Sequence, residues 1–332
     1  LDFNRITYNP ILMYLTIITL CSYPLVELCG LILSLLTPLS FAVSGELSSE
    51  LEQKIGNSLP EIQLPADYTA SIFCMDVNGA DGLALSSSGD LYAVSEADGC
   101  IYRINENGYK EIIAAGFRNP EGIAVSRSGM VYIVEDIEEG RLIGITPSGD
   151  MEVITEGLSF PEGVAVTEDG NVLITESSIE SGLIFPVLSE VKILNSEGLC
   201  SVFSSLYLWS LSDIAVDSSG IVYVCNELSG YGFISASIIR IDPSDGSWSV
   251  FCRGLHACEG ICFDADGAFP MYVVEEDTGE GSGRISIVDE DGAASVFAFG
   301  FQNLEDIVVD RSGRIYVSED TSGRIILIHG DQ

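Results

Sequence analysis

The chain has 332 residues, 47% of them apolar, and its 50 acidic and 14 basic residues give a formal net charge of −36. This apolar content is sufficient for a folded core and excludes an intrinsically disordered chain. Nucleic acid is excluded as a partner, because a phosphate backbone is bound by cationic surfaces. Solubility, or adaptation to a salty medium that screens self-repulsion, is one explanation of the bulk acidity, but it does not explain carboxylates placed in register.

The N-terminal region is strongly hydrophobic. Residues 10–43 are almost entirely apolar and long enough to span a bilayer, and Ala42-Val43-Ser44 resembles a signal-peptide cleavage site. We predict a signal peptide or membrane anchor over residues 1–44, a polar linker over 45–65 and a folded body over 66–332. This body is expected outside the cytoplasm, either secreted or anchored, with membrane contact only through the N-terminal segment.

Cysteines are irregularly spaced. Of the nine, Cys21 and Cys29 lie in the hydrophobic segment, and the remaining seven contain no Cys-x-x-Cys motif. This spacing does not fit a disulfide framework or a zinc site. Cys252 and Cys258 are the one pair close enough in sequence to consider for a local bridge.

An internal repeat is the strongest signal. Residues 120–135 recur almost unchanged as residues 161–176, and four looser copies are spaced about 40–50 residues apart. These looser copies begin at Asp81, Asp213, Glu259 and Glu305. Each copy contains an apolar run, a Gly-containing turn and a run of β-branched and aromatic residues, followed by two shorter strand-like runs. Four strands per copy are typical of a propeller blade.

The two ends of the repeat array complement each other. The sixth copy stops after its third strand, whereas residues 69–76 form a spare strand before the first copy. We therefore predict an all-β, six-bladed β-propeller in which the N-terminal strand completes the last blade and removes an exposed edge. A solenoid is the alternative, but it would need polar caps instead of a missing strand matched by a spare one.

Acidic residues recur at the position that starts the first strand of each blade. In a propeller this strand lines the channel, so these side chains are expected at one mouth. The set is Asp81, Glu121, Glu162, Asp213, Glu259 and Glu305. A second set ends strand two at the same mouth and comprises Ser95, Glu135, Glu176, Asn226, Glu275 and Glu319.

This acidic mouth predicts a cation site, although repetition without a role is the alternative. Converging carboxylates repel each other unless protons or a cation neutralise them. Oxygen ligands without paired histidines or thiolates suit Ca²⁺, or another hard divalent cation, better than Zn²⁺. Our candidate ligands are Asp81, Glu121, Glu162, Asp213, Asn226, Glu259 and Glu305.

Four insertions, residues 177–190, 204–212, 228–236 and 276–282, fall at the same mouth. These insertions carry the aromatic residues Phe185, Tyr207, Trp209, Tyr231 and Phe233. The aromatic side chains either form the wall of an apolar pocket or only cap the channel. His256 lies three residues before Glu259 and is the one imidazole placed to act as a general base.

The repeated sequence Pro-Glu-Gly-Ile-Ala-Val, followed by Ser-Gly-x-Val-Tyr-Ile-Val-Glu, resembles the NHL repeat and the related gluconolactonase, senescence-marker and luciferin-regenerating family of propellers. The resemblance covers residues 67–331. It implies lactone hydrolysis with one divalent cation at the channel mouth, held by a first-blade acid, an asparagine, and an aspartate that also acts as base. Asp81 matches the first-blade acid and Asp213 or Glu259 the aspartate. The asparagine is missing at a strand-one start, and Asn226 is the nearest substitute.

Two functions follow from these observations. The first is an exported, Ca²⁺-dependent, lactonase-like hydrolase acting on a small molecule, with Asp213, Glu259 or His256 activating water. The second is a noncatalytic propeller that binds a ligand or a partner protein at the same mouth, with any cation structural. Streptogramin-lyase activity fits less well, since such enzymes rely on histidines at the mouth.

Overall fold

The computed structural model describes residues 62–179, 186–207, 210–227, 236–276 and 283–330. The predicted export segment and linker up to residue 61 therefore lie outside the described residues. The same is true of four of the predicted loop aromatics, Phe185, Trp209, Tyr231 and Phe233. Within the described part, no helix is long and apolar enough to cross a membrane.

The described residues form six antiparallel sheets of four strands each, which confirms the predicted six-bladed propeller. Blade 1 contains β2 (Ala80–Leu85), β3 (Leu91–Ser95), β4 (Cys100–Ile104) and β5 (Lys110–Ala115). Blade 2 contains β6 (Pro120–Val125), β7 (Val131–Glu135), β8 (Glu138–Ile145) and β9 (Met151–Ser159). Blade 3 contains β10 (Pro161–Val166), β11 (Val172–Ile179), β12 (Pro186–Leu194) and β13 (Cys200–Leu206).

The second half of the ring repeats this arrangement. Blade 4 contains β14 (Leu211–Val216), β15 (Val222–Asn226), β16 (Ala236–Ile241) and β17 (Trp248–Leu255). Blade 5 contains β18 (Cys258–Cys262), β19 (Met271–Glu275), β20 (Gly283–Val288) and β21 (Ala294–Phe301). Blade 6 contains β22 (Leu304–Val309), β23 (Ile315–Glu319) and β24 (Arg324–Gly330), with β1 (Tyr68–Cys74) as its outer strand.

Ring closure occurs as the sequence predicts. β1 pairs antiparallel with β24, from Tyr68 opposite Gly330 to Cys74 opposite Ile325. Just before β1, the backbone of Gln63 exchanges two hydrogen bonds with Phe299 on the outer edge of blade 5. The chain segment that closes blade 6 is therefore also fastened to blade 5.

Apolar cores lie between neighbouring blades. One core joins Ile123 and Ile133 of blade 2 to Val94 and Ile101 of blade 1. The second strand of each blade is buried on both faces, which explains its continuous run of β-branched residues. The turn between strands one and two needs a left-handed residue, and Gly129 supplies it with a φ of 83° in blade 2.

Strand pairing corrects the predicted register of blade 4. Pro120 faces Glu135 in blade 2, and Leu211 faces Asn226 in the same way in blade 4. Ser212 therefore occupies the position of the repeated acid, and Asp213 lies one residue further along the strand. The apolar residues of Leu-Ser-Asp-Ile, and not its isolated acid, determine the register of this strand.

The seven described cysteines are free thiols. Both Cys252 and Cys258 are buried and unbridged. The local bridge considered from the sequence is therefore not formed.

Candidate functional site

A cavity of about 240 Å³ opens at the channel mouth where the first strand of each blade begins. Its main feature is an inner ring, defined as the second residue of strand one in each blade. The ring consists of Asp81, Glu121, Glu162, Ser212, Glu259 and Glu305, and all six line the cavity. The inner ring thus brings five of the six predicted strand-one carboxylates around one space.

Two further aspartates line the cavity one residue deeper along strand one. Asp213 in blade 4 and Asp306 in blade 6 occupy the position that is glycine in the other four blades. Close packing explains those glycines, since a Cβ at Gly122 would lie 2.1 Å from the Glu162 carbonyl oxygen. We call Asp213 and Asp306 the deep aspartates.

The deep aspartates tie neighbouring blades together. Oδ2 of Asp306 accepts a hydrogen bond from the Leu83 amide at 2.6 Å, which joins blade 6 to blade 1. Oδ2 of Asp213 accepts one from the Ile261 amide at 2.9 Å, which joins blade 4 to blade 5. Their carboxylates are thereby oriented by the backbone at the wall of the cavity.

A second group of acids, absent from the sequence prediction, surrounds the inner ring. These outer acids follow directly after strand two and are Glu96, Asp136, Glu227, Glu276 and Asp320. Each donates its backbone N–H to the loop that leads into strand one of the same blade, as Asp136 does to the Asn119 carbonyl at 2.8 Å. This bond sets the outer acid beside the inner ring. Blade 3 has Ser177 at the equivalent position.

Burial and mutual repulsion oppose ionisation of these groups. Burial raises the pKa of Asp81 to about 8, with the charges of Glu96 and Asp320 as further causes. It raises the pKa of Glu305 to about 10, helped by Asp81. The pKa of Glu162 and of Glu259 is raised well above its usual value, again by burial first and then by Glu227.

Glu121 of the inner ring and Asp136 of the outer acids influence each other's ionisation. Burial raises the pKa of Glu121 to about 12 and that of Asp136 to about 6, where the hydrogen bond to Glu121 works in the opposite direction. Oε1 of Glu121 also accepts from Asn119 Nδ2 at 3.3 Å, whereas Oδ1 of Asp136 is buried without a hydrogen-bond partner.

The acids that end strand two are not part of this cavity. Their side chains turn into the blade, where each meets a basic residue of strand three. Glu135 accepts from Arg141, Glu275 from Arg284, Glu319 from Arg324, and Glu176 is paired with Lys192. We call these four the blade carboxylates. The arginine partners keep the pKa of Glu135 below its usual value despite burial.

The second predicted ring is therefore structural instead of functional. Each blade carboxylate also accepts an amide N–H from the loop before strand one, such as Arg118 onto Glu135 at 2.8 Å. In blade 1, Ser95 takes the same place and donates to the Asn78 carbonyl at 2.5 Å. These bonds fasten the loops that present the inner ring.

Two other predicted site residues lie away from the cavity lining. Asn226 is fully buried in blade 4, its Nδ2 donating to Ser237 Oγ at 3.4 Å and its Oδ1 without a partner. His256 is exposed on the preceding loop, where its backbone N–H donates to Glu275. Tyr207, the described loop aromatic, is 76% exposed.

The donor set of the cavity suits a hard cation in its chemistry. Every ionisable residue among the described residues that line the cavity is a carboxylic acid. Among the described residues, however, no three acidic, histidine or cysteine side chains are grouped closely enough to hold a metal ion as they stand. A bound cation would need to draw side chains of the inner ring towards one point, which flexible glutamates allow.

Comparisons with known proteins agree with the architecture. No family profile and no curated protein sequence matches the chain. A gluconolactonase from Xanthomonas campestris shares 12% identity at a TM-score of 0.65, over 82% of this chain and 95% of that one.

Two further structures extend the comparison. The virginiamycin B lyase from Staphylococcus aureus shares 15% identity at a TM-score of 0.55, covering 81% and 99% of the two chains. An auxiliary nutrient binding protein from Bacteroides thetaiotaomicron shares 14% identity at 0.62, covering 81% and 78%. The chain has the six-bladed propeller fold of the gluconolactonase-like and lyase structures, and at these identities the likeness concerns the fold alone.

Proposed function

We propose that the protein is an exported, lactonase-like hydrolase that uses Ca²⁺ at the acidic mouth of its channel. The observation that carries this proposal is the cavity itself, where carboxylates from all six blades meet and none of the described lining residues is basic. Such a site concentrates negative charge that a divalent cation would neutralise. The fold shared with a gluconolactonase supports the class of reaction.

Asp213 is the residue best suited to activate water among the three candidates. Burial raises its pKa to about 7, while hydrogen bonds from the Ile261 and Ile214 amides lower it and orient the carboxylate. A base with this pKa is partly ionised at neutral pH and accepts a proton readily. Glu259 has a pKa well above its usual value and is a poor base, and His256 does not line the cavity.

The proposed reaction begins when Asp213 takes a proton from a water molecule whose oxygen attacks the carbonyl carbon of the ester. The ring C–O bond then breaks, and a protonated neighbour such as Glu259 gives its proton to the leaving oxygen. A bound Ca²⁺ would polarise the carbonyl group and reduce repulsion among the carboxylates. The product carries a carboxylate, which the acidic mouth repels.

Calcium titration by calorimetry tests the binding half of this proposal. We expect the full-length chain to bind about one ion, and Glu162→Gln to weaken binding at least tenfold because a lining carboxylate is lost. Glu197→Gln, in an exposed turn, is the matched control and should bind as the parent does. Equal affinity in all three proteins would remove the cavity as the cation site.

Hydrolysis of a panel of lactones and esters, followed with a pH indicator, tests the chemical half. Asp213→Asn keeps the shape of the side chain and should reduce turnover at least 100-fold while the fold is retained. Turnover unchanged in Asp213→Asn would exclude this residue as the base.

A noncatalytic propeller that binds a ligand or protein is the second candidate. It is favoured by one specific feature, the use of both deep aspartates to hold neighbouring backbones, which is a structural task. Calcium binding without any hydrolysis across the panel would support this function over the first.

A further inference from the structure

Three buried cysteines gather between blades 4 and 5. Cys225 of β15 and Cys252 of β17 both lie opposite Ile238 of β16, so their side chains point to the same face of the blade 4 sheet. Cys258, the first residue of β18, packs against that face from blade 5. All three belong to one apolar core and are at most 1% exposed.

The contacts of the Cys258 thiol distinguish Cys225 from Cys252 as its candidate disulfide partner. The Cys258 thiol donates towards the Asn226 carbonyl at 3.4 Å, directly after Cys225 in the chain, and lies 3.8 Å from the Ser237 carbonyl. Burial first, and then the neighbouring Cys258 thiol, raise the pKa of Cys225, in agreement with the short distance from the Cys258 thiol to the end of β15. Cys252 instead donates to the Arg253 carbonyl at 3.8 Å.

We propose that Cys225 and Cys258 are a modification site at which a disulfide forms between blade 4 and blade 5. The pairing differs from the Cys252–Cys258 bridge that sequence proximity suggests. It joins the end of β15 to the start of β18, next to Glu227 and Glu259 of the cavity. The disulfide would fix the separation of these two acids. The disulfide proposal does not depend on the proposed hydrolase activity.

The oxidant in this step is a small-molecule disulfide, such as oxidised glutathione. The thiolate of one cysteine attacks a sulfur of the oxidant, which releases one thiol and leaves a mixed disulfide on the protein. The second cysteine thiolate then displaces the remaining thiol. Two protein S–H bonds are replaced by one S–S bond, and the oxidant is reduced to two thiols.

Burial controls when this exchange occurs. The Cys225 thiol is enclosed in the blade interface, which raises its pKa and keeps oxidants away. We therefore expect slow oxidation of the folded protein and rapid oxidation during refolding. The cross-link closes a loop in the unfolded chain, so it should also raise Tm, by roughly 5 °C on general estimates for disulfides.

The experiment is to refold the reduced full-length chain in a mixture of oxidised and reduced glutathione, alkylate the remaining thiols and map the cross-links by mass spectrometry. Trypsin places Cys225 in the peptide 193–240, Cys252 in 241–253 and Cys258 in 254–284. Cys200 and Cys262 share two of these peptides. Cleavage before Asp213 and after Glu259 separates them, so the parent chain alone identifies the bridge.

We expect a link between peptides 193–240 and 254–284 that secondary digestion assigns to Cys225 and Cys258. It should disappear in Cys225→Ala and persist in Cys200→Ala, and the oxidation-dependent rise in Tm should follow it. The proposal is overturned if both thiols are recovered alkylated after refolding. A bridge from 241–253 to 254–284, or one that involves Cys200 or Cys262 instead, overturns it equally.

Discussion

Two sets of carboxylates, the buried blade carboxylates and the half-buried outer acids, lie one residue apart in the chain and have opposite environments. Glu135, Glu275 and Glu319 turn into the blades and meet arginines of strand three. The next residues, Asp136, Glu276 and Asp320, belong to the outer acids around the cavity. The protein therefore pairs each blade carboxylate with a basic residue, whereas the described residues that line the mouth cavity include no basic side chain.

This difference has a direct physical meaning. A buried carboxylate with an arginine partner stays ionised and contributes to folding, because the pair satisfies both charges. A buried carboxylate beside other carboxylates is better protonated or bound to a cation. Negative charge that accumulates at the mouth destabilises the folded state. A cationic ligand bound there would offset this destabilisation, which explains why the acids are kept at this place.

The largest effect is expected from breaking a blade pair. Glu319→Gln leaves Arg324, which is 7% exposed, without its counter-charge. We expect the free energy of unfolding to fall by about 3–5 kcal/mol, measured by urea denaturation. Asp320→Asn, one residue along, is the control and should change stability much less. A similar loss in both variants would show that the two sets do not differ as described.

In the cation-free protein, the pH dependence of stability should report on the carboxylates that line the mouth cavity. Burial raises the pKa of Asp81 to about 8 and of Asp213 to about 7, each from a usual value of 3.8. Above pH 4 the folded chain therefore binds more protons than the unfolded chain, and stability is lost as pH rises towards 8. Each such proton contributes a slope of about 1.4 kcal/mol per pH unit.

This slope is measured by thermal and urea unfolding at several pH values in the presence of a chelator. Calcium should restore stability at pH 8 and leave it nearly unchanged at pH 5, where the acids are protonated. Stability that rises between pH 5 and 8 without calcium would contradict the environment assigned to the inner ring.

Much of the fold was predictable because the repeat combines local signals that agree. Apolar runs, Gly-containing turns and a spare N-terminal strand each indicate the same ring. Because the second strand of each blade is buried on both faces, its sequence is a continuous apolar run that is easily recognised. The inner ring was predictable for the same reason, since residues such as Glu121 and Glu162 fall at one position of a nearly identical copy.

The finer assignment of carboxylates was not predictable from position alone. A shift of one residue moves a side chain to the other face of a strand, which separates Glu135 from Asp136. One feature of the sequence nevertheless distinguishes the two sets. In blades 5 and 6 the glutamate that ends strand two lies opposite an arginine of strand three, whereas Ser95 and Asn226 lie opposite Cys100 and Ser237. Matched changes of this kind indicate contact within a blade instead of a shared ligand.

A moderate effect is expected at the joint between the last and first blades. Asp306→Ala removes the acceptor of the Leu83 amide and leaves that N–H unpaired in the channel wall. We expect a loss of about 1–3 kcal/mol in urea denaturation. Asp306→Asn keeps an acceptor oxygen without the charge and should be close to the parent at neutral pH. Equal losses in both variants would assign the effect to the charge instead of to the hydrogen bond.

The smallest effect is expected from a surface pair that resembles the blade pairs in chemistry but not in burial. Arg127 and Glu168 lie 2.8 Å apart, with side chains 78% and 75% exposed. Water and salt screen this attraction, so Arg127→Gln should change the free energy of unfolding by at most about 0.5 kcal/mol. Comparison with Glu319→Gln by the same urea titration isolates burial as the variable. A loss above about 2 kcal/mol for Arg127→Gln would mean that ion pairing itself, and not its enclosure within a blade, determines the stability of this propeller.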